Sequence, residues 1–384
     1  MRKIAFVIPW FGMDIPGGAE SECRETAFHL KEKGIDVEIL TTCVKDFYSN
    51  WSKNHWKEAV YNENGLTVRR FKADKRDTKL FDYINHKLMN GVVPIPVEQK
   101  AYMDNMVNSF NLISFIKKNQ KKYWYFFIPY MFGTTYNGVL AAPSSSYLVP
   151  CLHDESYAYM DIYKEMFKKA KGVVFQVKSE KKLAEKIYNL TFSNKMIFGT
   201  GLNTDISFNK KDLGFPFILY AGKKDAGKGT NLLIEHFIKF KKENVSDLRL
   251  VLIGAGDMLI PEHPDIIDKG FVSKEEKYDL MASSLCLCNP SINESFSLVV
   301  MESWLCQRPV LVNGKCEVTK DHCIDSNGGL WFDDYDDFKG SINYCMNNET
   351  IISQMAMNGK KYVLKNYSWD TITKKYIELI KDAN

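Results

Sequence analysis

Lys3-Ile4-Ala5-Phe6-Val7-Ile8-Pro9-Trp10 runs into Phe11-Gly12-Met13-Asp14-Ile15-Pro16-Gly17-Gly18-Ala19-Glu20, and one helix later comes Asp36-Val37-Glu38-Ile39-Leu40-Thr41. The first and last runs are short and apolar, as strands are. The segment between them carries Phe28 and Leu30 and stops at Lys33-Gly34. Strand, Gly-Gly turn, helix and strand make a βαβ unit, which implies a parallel sheet. Gly17 and Gly18 let backbone come close to a ligand at the carboxyl end of the first strand, where open α/β sheets take their ligands. An ordinary tight turn also accounts for two glycines. The dinucleotide fingerprint Gly-x-Gly-x-x-Gly is absent, which disfavours a nicotinamide dehydrogenase.

The same grammar continues outward. Strands are expected over 66–71, 124–129, 146–152, 172–177 and 196–201, with a helix over 134–142. Residues 78–120 are polar and helical, interrupted by Pro94 and Pro96. The strand at 146–152 is expected to end in His153-Asp154-Glu155, which puts a histidine and two carboxylates at the ligand edge. A polar linker, 209–214, precedes a restart at 216–222, followed by Lys223-Lys224-Asp225-Ala226-Gly227-Lys228-Gly229. Further strands are expected over 248–254, 285–288 and 309–312. Helices are expected over 230–242, from the capping box at Ser273 to 282, and over 353–364 and 369–381.

Asn289-Pro290-Ser291-Ile292-Asn293-Glu294-Ser295-Phe296-Ser297-Leu298-Val299-Val300-Met301-Glu302 carries two glutamates eight apart. Glu294 falls in a Pro/Ser/Asn loop, and Glu302 falls in an apolar helix-forming run that starts near Ser297. A helix start offers unpaired N–H groups and a positive dipole end, which suits an anion. Carboxylates on both sides of an anion seat suit a ligand with phosphate in its middle and hydroxyls at both ends, such as a nucleotide sugar. A loop followed by a solvated helix face is the plainer account. Against it, Glu302 stands among Val299, Val300, Met301, Trp304 and Leu305, and a carboxylate buried there needs partners.

At 384 residues the chain suits two domains better than one core. The expected bounds are 1–205 and 206–365, with a C-terminal helix in 366–384 crossing back to the first domain. No apolar run reaches the roughly 18–20 residues of a membrane span, and the N-terminus reads as a strand, not a signal peptide. Nine scattered cysteines without a Cys-x-x-Cys pair suit reduced thiols in the cytoplasm better than a zinc site. A net charge of +4 does not call for nucleic acid. Lys164, Lys168 and Lys169, interleaved with Ile162, Tyr163, Met166 and Phe167, suit peripheral contact with an anionic inner membrane face. A solvated helix face is the plainer account here too.

Taken jointly, the Gly-Gly loop, the Lys223–Lys228 loop and the Glu-x7-Glu stretch resemble the family-4 retaining glycosyltransferases. The likeness runs almost end to end, with 78–120 poorly matched. It is closest to bacterial members whose first loop reads Ile15-Pro16-Gly17-Gly18-Ala19-Glu20 and which serve cell-surface polysaccharide synthesis, such as O-antigen or capsule. The resemblance implies the GT-B fold, an α/β architecture of two Rossmann-like, doubly wound parallel-sheet domains facing across a cleft. It also implies a nucleotide-diphosphate sugar donor, a glycan or lipid-linked glycan acceptor, and no metal or other cofactor. By resemblance, Gly17 and Gly18 approach diphosphate and acceptor, and His153 lies beside the reacting carbon. Lys223 and Lys228 neutralise the diphosphate and Glu294 holds sugar hydroxyls. Gly222, Ser295 and the amides of Phe296, Ser297 and Leu298 line the donor, and Glu302 holds its ribose. Glu20, Asp154 and Glu155 fall toward the acceptor. Two positions depart from the family: Lys223 stands where arginine is common, and Ser297 where glycine is frequent. Alternatives are a nucleotide-sugar epimerase on the same fold, or a degenerate subunit that only binds nucleotide sugar.

Overall fold

A computed structural model describes residues 2–15 and 17–383; Met1, Asn384 and Pro16 of the first loop lie outside them. The chain divides into two units, Met1–Gly201 with Trp369–Asn384, and Leu202–Ser368. The divisions fall a few residues from the expected 205 and 365 because Leu202 N–H donates to the Tyr367 carbonyl at 2.8 Å, closing the second unit's ends on each other.

The first unit contains β1 (Lys3–Val7), α1 (Gly18–Glu32), β2 (Val37–Thr42), β3 (Ala59–Glu63), β4 (Leu66–Phe71), α2 (Thr78–Met89), α3 (Pro96–Asp104), α4 (Phe110–Asn119), β5 (Tyr123–Phe127), α5 (Gly133–Ala141), β6 (Ser146–Leu148), α6 (Asp161–Lys169), β7 (Gly172–Val173) and α7 (Lys178–Tyr188). Its sheet runs β3-β4-β2-β1-β5-β6-β7, with only β3 antiparallel. The sequence reading passed over β3, whose residues are half-buried or exposed and give no core signal. Asn64 and Gly65, both at positive φ, form its two-residue turn to β4. The unread stretch 78–120 resolves into three helices. Asp77 and Ser109 cap α2 and α4, and Pro96 occupies the first turn of α3.

Three expected strands are shorter than the sequence suggested. β6 stops at Leu148, since Pro150 lacks an N–H and Cys151 turns to φ 53°. β7 stops at Val173: Val174 N–H makes the last bond to β6, at the Leu148 carbonyl, then Phe175 N–H goes to the Met196 carbonyl and Gln176 N–H to Glu180. The strand expected over 196–201 is a single bridge from Ile197 to Phe175. In α6 the apolar residues interleaved with lysines, Tyr163, Met166 and Phe167, belong to the core. Lys164, Lys168 and Lys169 therefore form a solvated outer face, and no apolar stripe accompanies them toward lipid.

The second unit contains β8 (Phe217–Ala221), α8 (Thr230–Glu243), β9 (Arg249–Ile253), β10 (Ile266–Asp268), α9 (Lys274–Ser283), β11 (Leu287–Asn289), α10 (Leu298–Leu305), β12 (Val310–Asn313), α11 (Glu317–Ser326), β13 (Gly329–Phe332), α12 (Tyr335–Asn347) and α13 (Glu349–Tyr367). Its sheet is wholly parallel, ordered β10-β9-β8-β11-β12-β13. Helices cover both faces, so β8 and β9 are continuous apolar runs, with Ile218, Leu219, Leu250, Val251 and Leu252 fully buried. The sequence reading passed over β10, α11, β13 and α12. The first is three residues long, and the helices are largely polar.

The last helix, α14 (Trp369–Asp382), belongs to the first unit. Trp369 stacks on His29 of α1 at 4.2 Å, and Tyr376 packs on Phe6, Phe126 and Phe198. No helix among the described residues is long and apolar enough to cross a membrane.

Candidate functional site

In the second unit the chain leaves β8 for β9 on one side and later returns to β11 on the other. A reversal of strand order opens a crevice beyond the carboxyl ends of the two strands it separates. Two loops emerge there, 222–229 after β8 and 290–297 after β11. Every residue singled out in the second unit lies on these loops or on α10.

The first loop is fixed from within. Tyr220 donates its hydroxyl to the Lys223 carbonyl at 2.6 Å and accepts from the Thr230 hydroxyl at 3.0 Å. Gly222 N–H donates to the Ile253 carbonyl at 3.1 Å, which fixes the start of the loop on the sheet. The Asp225 carboxylate accepts from Lys228 N–H at 2.9 Å and pairs with Lys223 Nζ at 3.0 Å. The Lys223 ammonium first, and the Lys228 amide second, hold the Asp225 carboxyl below its ordinary range. Gly229 turns the loop at φ 71°, and a Cβ there would meet the Pro290 carbonyl oxygen at 2.5 Å. The two loops are in backbone contact, and glycine permits it.

The second loop leads into α10 as expected. Ser297 stands at the N-cap with φ 65° and ψ 74°, a left-handed conformation that accounts for glycine being common at this position in the family it resembles. Its hydroxyl accepts from the buried Asn289 side-chain amide at 2.8 Å instead of capping the helix. Val300 N–H donates to the Ser297 carbonyl at 3.1 Å, and the first two amides of α10, Leu298 and Val299, are left to other acceptors. Phe296 is buried edge-on against His322 and Tyr367, which anchors the loop. Ser295 is half-buried and Leu298 exposed.

Lys228 Nζ lies 2.9 Å from Glu294 Oε1, so the lysine of the first loop and the glutamate of the second meet. Glu302 finds the partners its buried surroundings demand: Lys277 Nζ at 2.6 Å and the Tyr278 hydroxyl at 3.2 Å, both on Oε1. Burial, then the Glu302 charge, pushes the Tyr278 phenol well up, so it stays a donor. Lys277, Tyr278, Asn289 and Asn313, whose amide holds the Pro290 carbonyl at 3.0 Å, were not singled out from the sequence. They act on residues 8 to 25 positions away, and nothing in local spacing marks such contacts.

The first unit holds the remaining candidates. Gly17 begins α1 at φ 142°, and a Cβ there would collide with the Glu20 carboxylate, whereas Gly18 faces open space. Glu20 accepts from the Trp10 indole N–H at 2.5 Å, which ties the start of α1 to an aromatic cluster of Trp10, Phe47, Trp51 and Phe132. His153 is half-buried in the turn after β6, five residues beyond the strand instead of at its end. Exposed Asp154 accepts from the Tyr159 hydroxyl at 2.7 Å. Glu155 is half-buried, and burial raises its carboxyl.

Residues 203–362 match the family model described as glycosyl transferases group 1, and these residues fill the second unit almost completely. Over 180 residues, 43% of the chain, the protein is 26% identical to an uncharacterized glycosyltransferase of Methanocaldococcus jannaschii. The match covers 45% of that relative, so the chain spans about half its length. Among solved structures, sucrose-phosphate synthase from Thermosynechococcus elongatus superposes with a TM-score of 0.68 at 14% identity, covering 100% of this chain and 99% of that one. HepE of Anabaena, in complex with UDP and glucose, gives a TM-score of 0.62 at 12% identity, covering 100% of both chains. At such identities the likeness speaks to fold. The fold is GT-B, with Leu202–Ser368 as its second Rossmann-like unit and a mixed-edge parallel sheet in its first.

Proposed function

We propose that the protein is a retaining glycosyltransferase of family 4, moving a sugar from a nucleotide-diphosphate donor to a glycan or lipid-linked glycan in bacterial cell-surface polysaccharide synthesis. The observation that carries the reading is the meeting of Lys228 and Glu294 beside the start of α10, within the residues that match the group 1 family model. HepE, which shares the fold, is described with UDP and glucose, and that supports a nucleotide sugar as ligand.

In this account Lys228 and the first-turn amides of α10 hold the donor diphosphate, with exposed Lys223 closing over it. Glu294 accepts from hydroxyls of the transferred sugar. Glu302, oriented through Oε1 by Lys277 and Tyr278, accepts from ribose hydroxyls through Oε2. As the glycosidic bond breaks, its electron pair and the new negative charge pass to the β-phosphate. A fixed ammonium and oriented amides stabilise that charge without rearranging, which is the most effective form of electrostatic catalysis. The acceptor hydroxyl attacks from the same face and gives its proton to the leaving phosphate, so the anomeric configuration is kept. To His153 we assign the transferred sugar, to the Gly17-Gly18 turn the diphosphate and acceptor, and to Glu20, Asp154 and Glu155 the acceptor. No metal or other cofactor takes part, and the protein works in the cytoplasm. Peripheral contact with an anionic membrane belongs to the proposal and rests on Lys164, Lys168 and Lys169 of α6 alone.

The test is product analysis with UDP-glucose, ADP-glucose and GDP-mannose, with and without a glycan acceptor. The account expects an acceptor-dependent glycoside with the donor's anomeric configuration. An epimerised nucleotide sugar formed without acceptor overturns it.

A further inference from the structure

The first unit buries three carboxylates that the proposed chemistry does not use. One, Glu38, is paired with Arg69 at 2.7 Å and accepts from the Tyr123 hydroxyl. The other two, Glu22 on α1 and Glu180 in the first turn of α7, are 8% and 5% exposed. Glu180 grips backbone from two other segments: Oε1 accepts the Leu152 N–H at 2.8 Å, and Oε2 accepts the Gln176 N–H at 2.7 Å. The Gln176 side-chain amide in turn donates to Glu22 Oε2 and lies 3.7 Å from Cys151 Sγ. One continuous set of contacts therefore runs from α1 through Glu22, Gln176 and Glu180 to Leu152. At one end is the helix that opens at Gly17-Gly18 and carries Glu20. At the other is the turn 151–155 that carries His153.

That turn needs holding. The sheet accounts for the backbone as far as Pro150, whose carbonyl accepts from Tyr130 N–H at 3.0 Å. Beyond it, Cys151 adopts φ 53°, a left-handed conformation that costs a residue with a Cβ, and its thiol donates locally to the Val149 carbonyl at 3.9 Å. Leu152 is buried, and its amide depends on Glu180; without that partner a buried donor would be orphaned.

We propose that Glu180 is a positioning residue: its carboxylate fixes the backbone on which His153 stands, and Gln176 and Glu22 lock that turn to α1. The inference rests on the reading that His153 faces the transferred sugar. The other titratable and charged groups facing the cluster are Glu20, Cys23, Arg24, Cys151 and Tyr376. Burial pushes Glu180 up to about 7, against the backbone amides that pull it down. Burial, then the charge of Glu180, pushes Glu22 up to about 8. Glu180, at about 7, ionises before Glu22, at about 8, and alkaline pH drives a second negative charge into the cluster.

The experiment compares wild type with Glu180→Gln, Glu22→Gln and His153→Ala by hydrogen exchange of peptides covering 149–155 and 176–180. The same proteins are assayed for nucleoside diphosphate release from whichever of UDP-glucose, ADP-glucose and GDP-mannose the wild type turns over, and for affinity by calorimetry. Glu180→Gln keeps the size but turns an acceptor oxygen into a donor facing an amide. Its exchange in both peptides rises by about tenfold or more. Its kcat falls by about 10²-fold, as for a catalytic group misplaced by about an ångström, while nucleotide-sugar affinity stays unchanged. Glu22→Gln moves the alkaline limb of the kcat profile to higher pH, a shift that general loss of structure does not produce. Unchanged exchange in Glu180→Gln overturns the inference, and if that variant fails to fold, an unmoved alkaline limb in Glu22→Gln overturns it. A loss of turnover in His153→Ala with none in Glu180→Gln overturns the inference alone. No loss in either overturns the role of His153 on which it stands.

Discussion

Lys228 and Glu294, 66 positions apart in the chain, meet at 2.9 Å and bridge the loops that leave β8 and β11. Glu294 is mostly buried while Lys228 keeps 41% of its side chain exposed. A partly exposed pair of this kind adds about 0–1 kcal/mol to stability, so folding alone does not account for it. An ammonium held in place by a carboxylate, with one side open, is oriented for a second anion.

Replacing Lys228 by alanine therefore lowers kcat by about 10²–10³-fold, the usual cost of losing one oriented donor at a developing charge. The melting temperature moves little, because the ion pair contributes little to folding. Steady-state kinetics beside a thermal melt checks both halves. A variant with wild-type kcat counts against the phosphate role.

Gly229 tests the contact between the two loops. Alanine there meets the Pro290 carbonyl and must adopt φ 71°. The left-handed conformation alone costs about 1–2 kcal/mol, so Gly229→Ala lowers the denaturation midpoint. Because relief of the clash parts Lys228 from Glu294, turnover falls as well. Chemical denaturation and a donor assay read the two effects.

The buried carboxylates of the first unit give stability a pH dependence. Glu22 and Glu180 have folded values of about 8 and about 7, raised above the ordinary 4.5 of a free glutamate. The folded state thus binds more protons than the unfolded state between these values. Stability from this source is complete below about pH 4.5 and is lost as pH rises through 7 and 8. Glu22→Gln flattens the decline between pH 6 and about 9. Melting temperatures across that range measure it, and equal slopes in wild type and variant contradict it.

Chelation is a further check. If the ammonium of Lys228 and the amides of α10 carry the leaving-group charge, turnover survives EDTA unchanged. Activity lost to EDTA and restored by Mg²⁺ or Mn²⁺ contradicts that account.

Much of the fold was legible because its strands are apolar runs between glycine turns. β4 falls at the expected 66–71, and α10 starts beside the expected Ser297. The misreadings share a cause. His153 lies beyond its strand because a proline and a left-handed cysteine end β6 early, and the Glu180 carboxylate takes up the pairing from elsewhere in the chain. The lysines of α6 lie on the solvated face that the sequence offered as the plainer account, since Tyr163, Met166 and Phe167 face the core. In the candidate site the residues named from sequence sit on the expected loops. The side chains that orient them, Lys277, Tyr278, Asn289 and Asn313, belong to other elements. Sequence spacing reports periodicity within one element, and these contacts arise only when elements pack.

The central claim is that the loops after β8 and β11 hold a nucleoside-diphosphate sugar, with Glu302 on its ribose. Titration of UDP-, ADP-, GDP- and dTDP-sugars against wild type and Glu302→Ala, followed by thermal shift and calorimetry, tests it most directly. The account predicts that at least one of these ligands raises the wild-type melting temperature, as any ligand of the folded state does. It also predicts that Glu302→Ala weakens that ligand by about 1.5–3 kcal/mol, the worth of hydrogen bonds to a charged group. A panel in which no nucleotide sugar binds, or a Glu302→Ala protein with wild-type affinity, contradicts it.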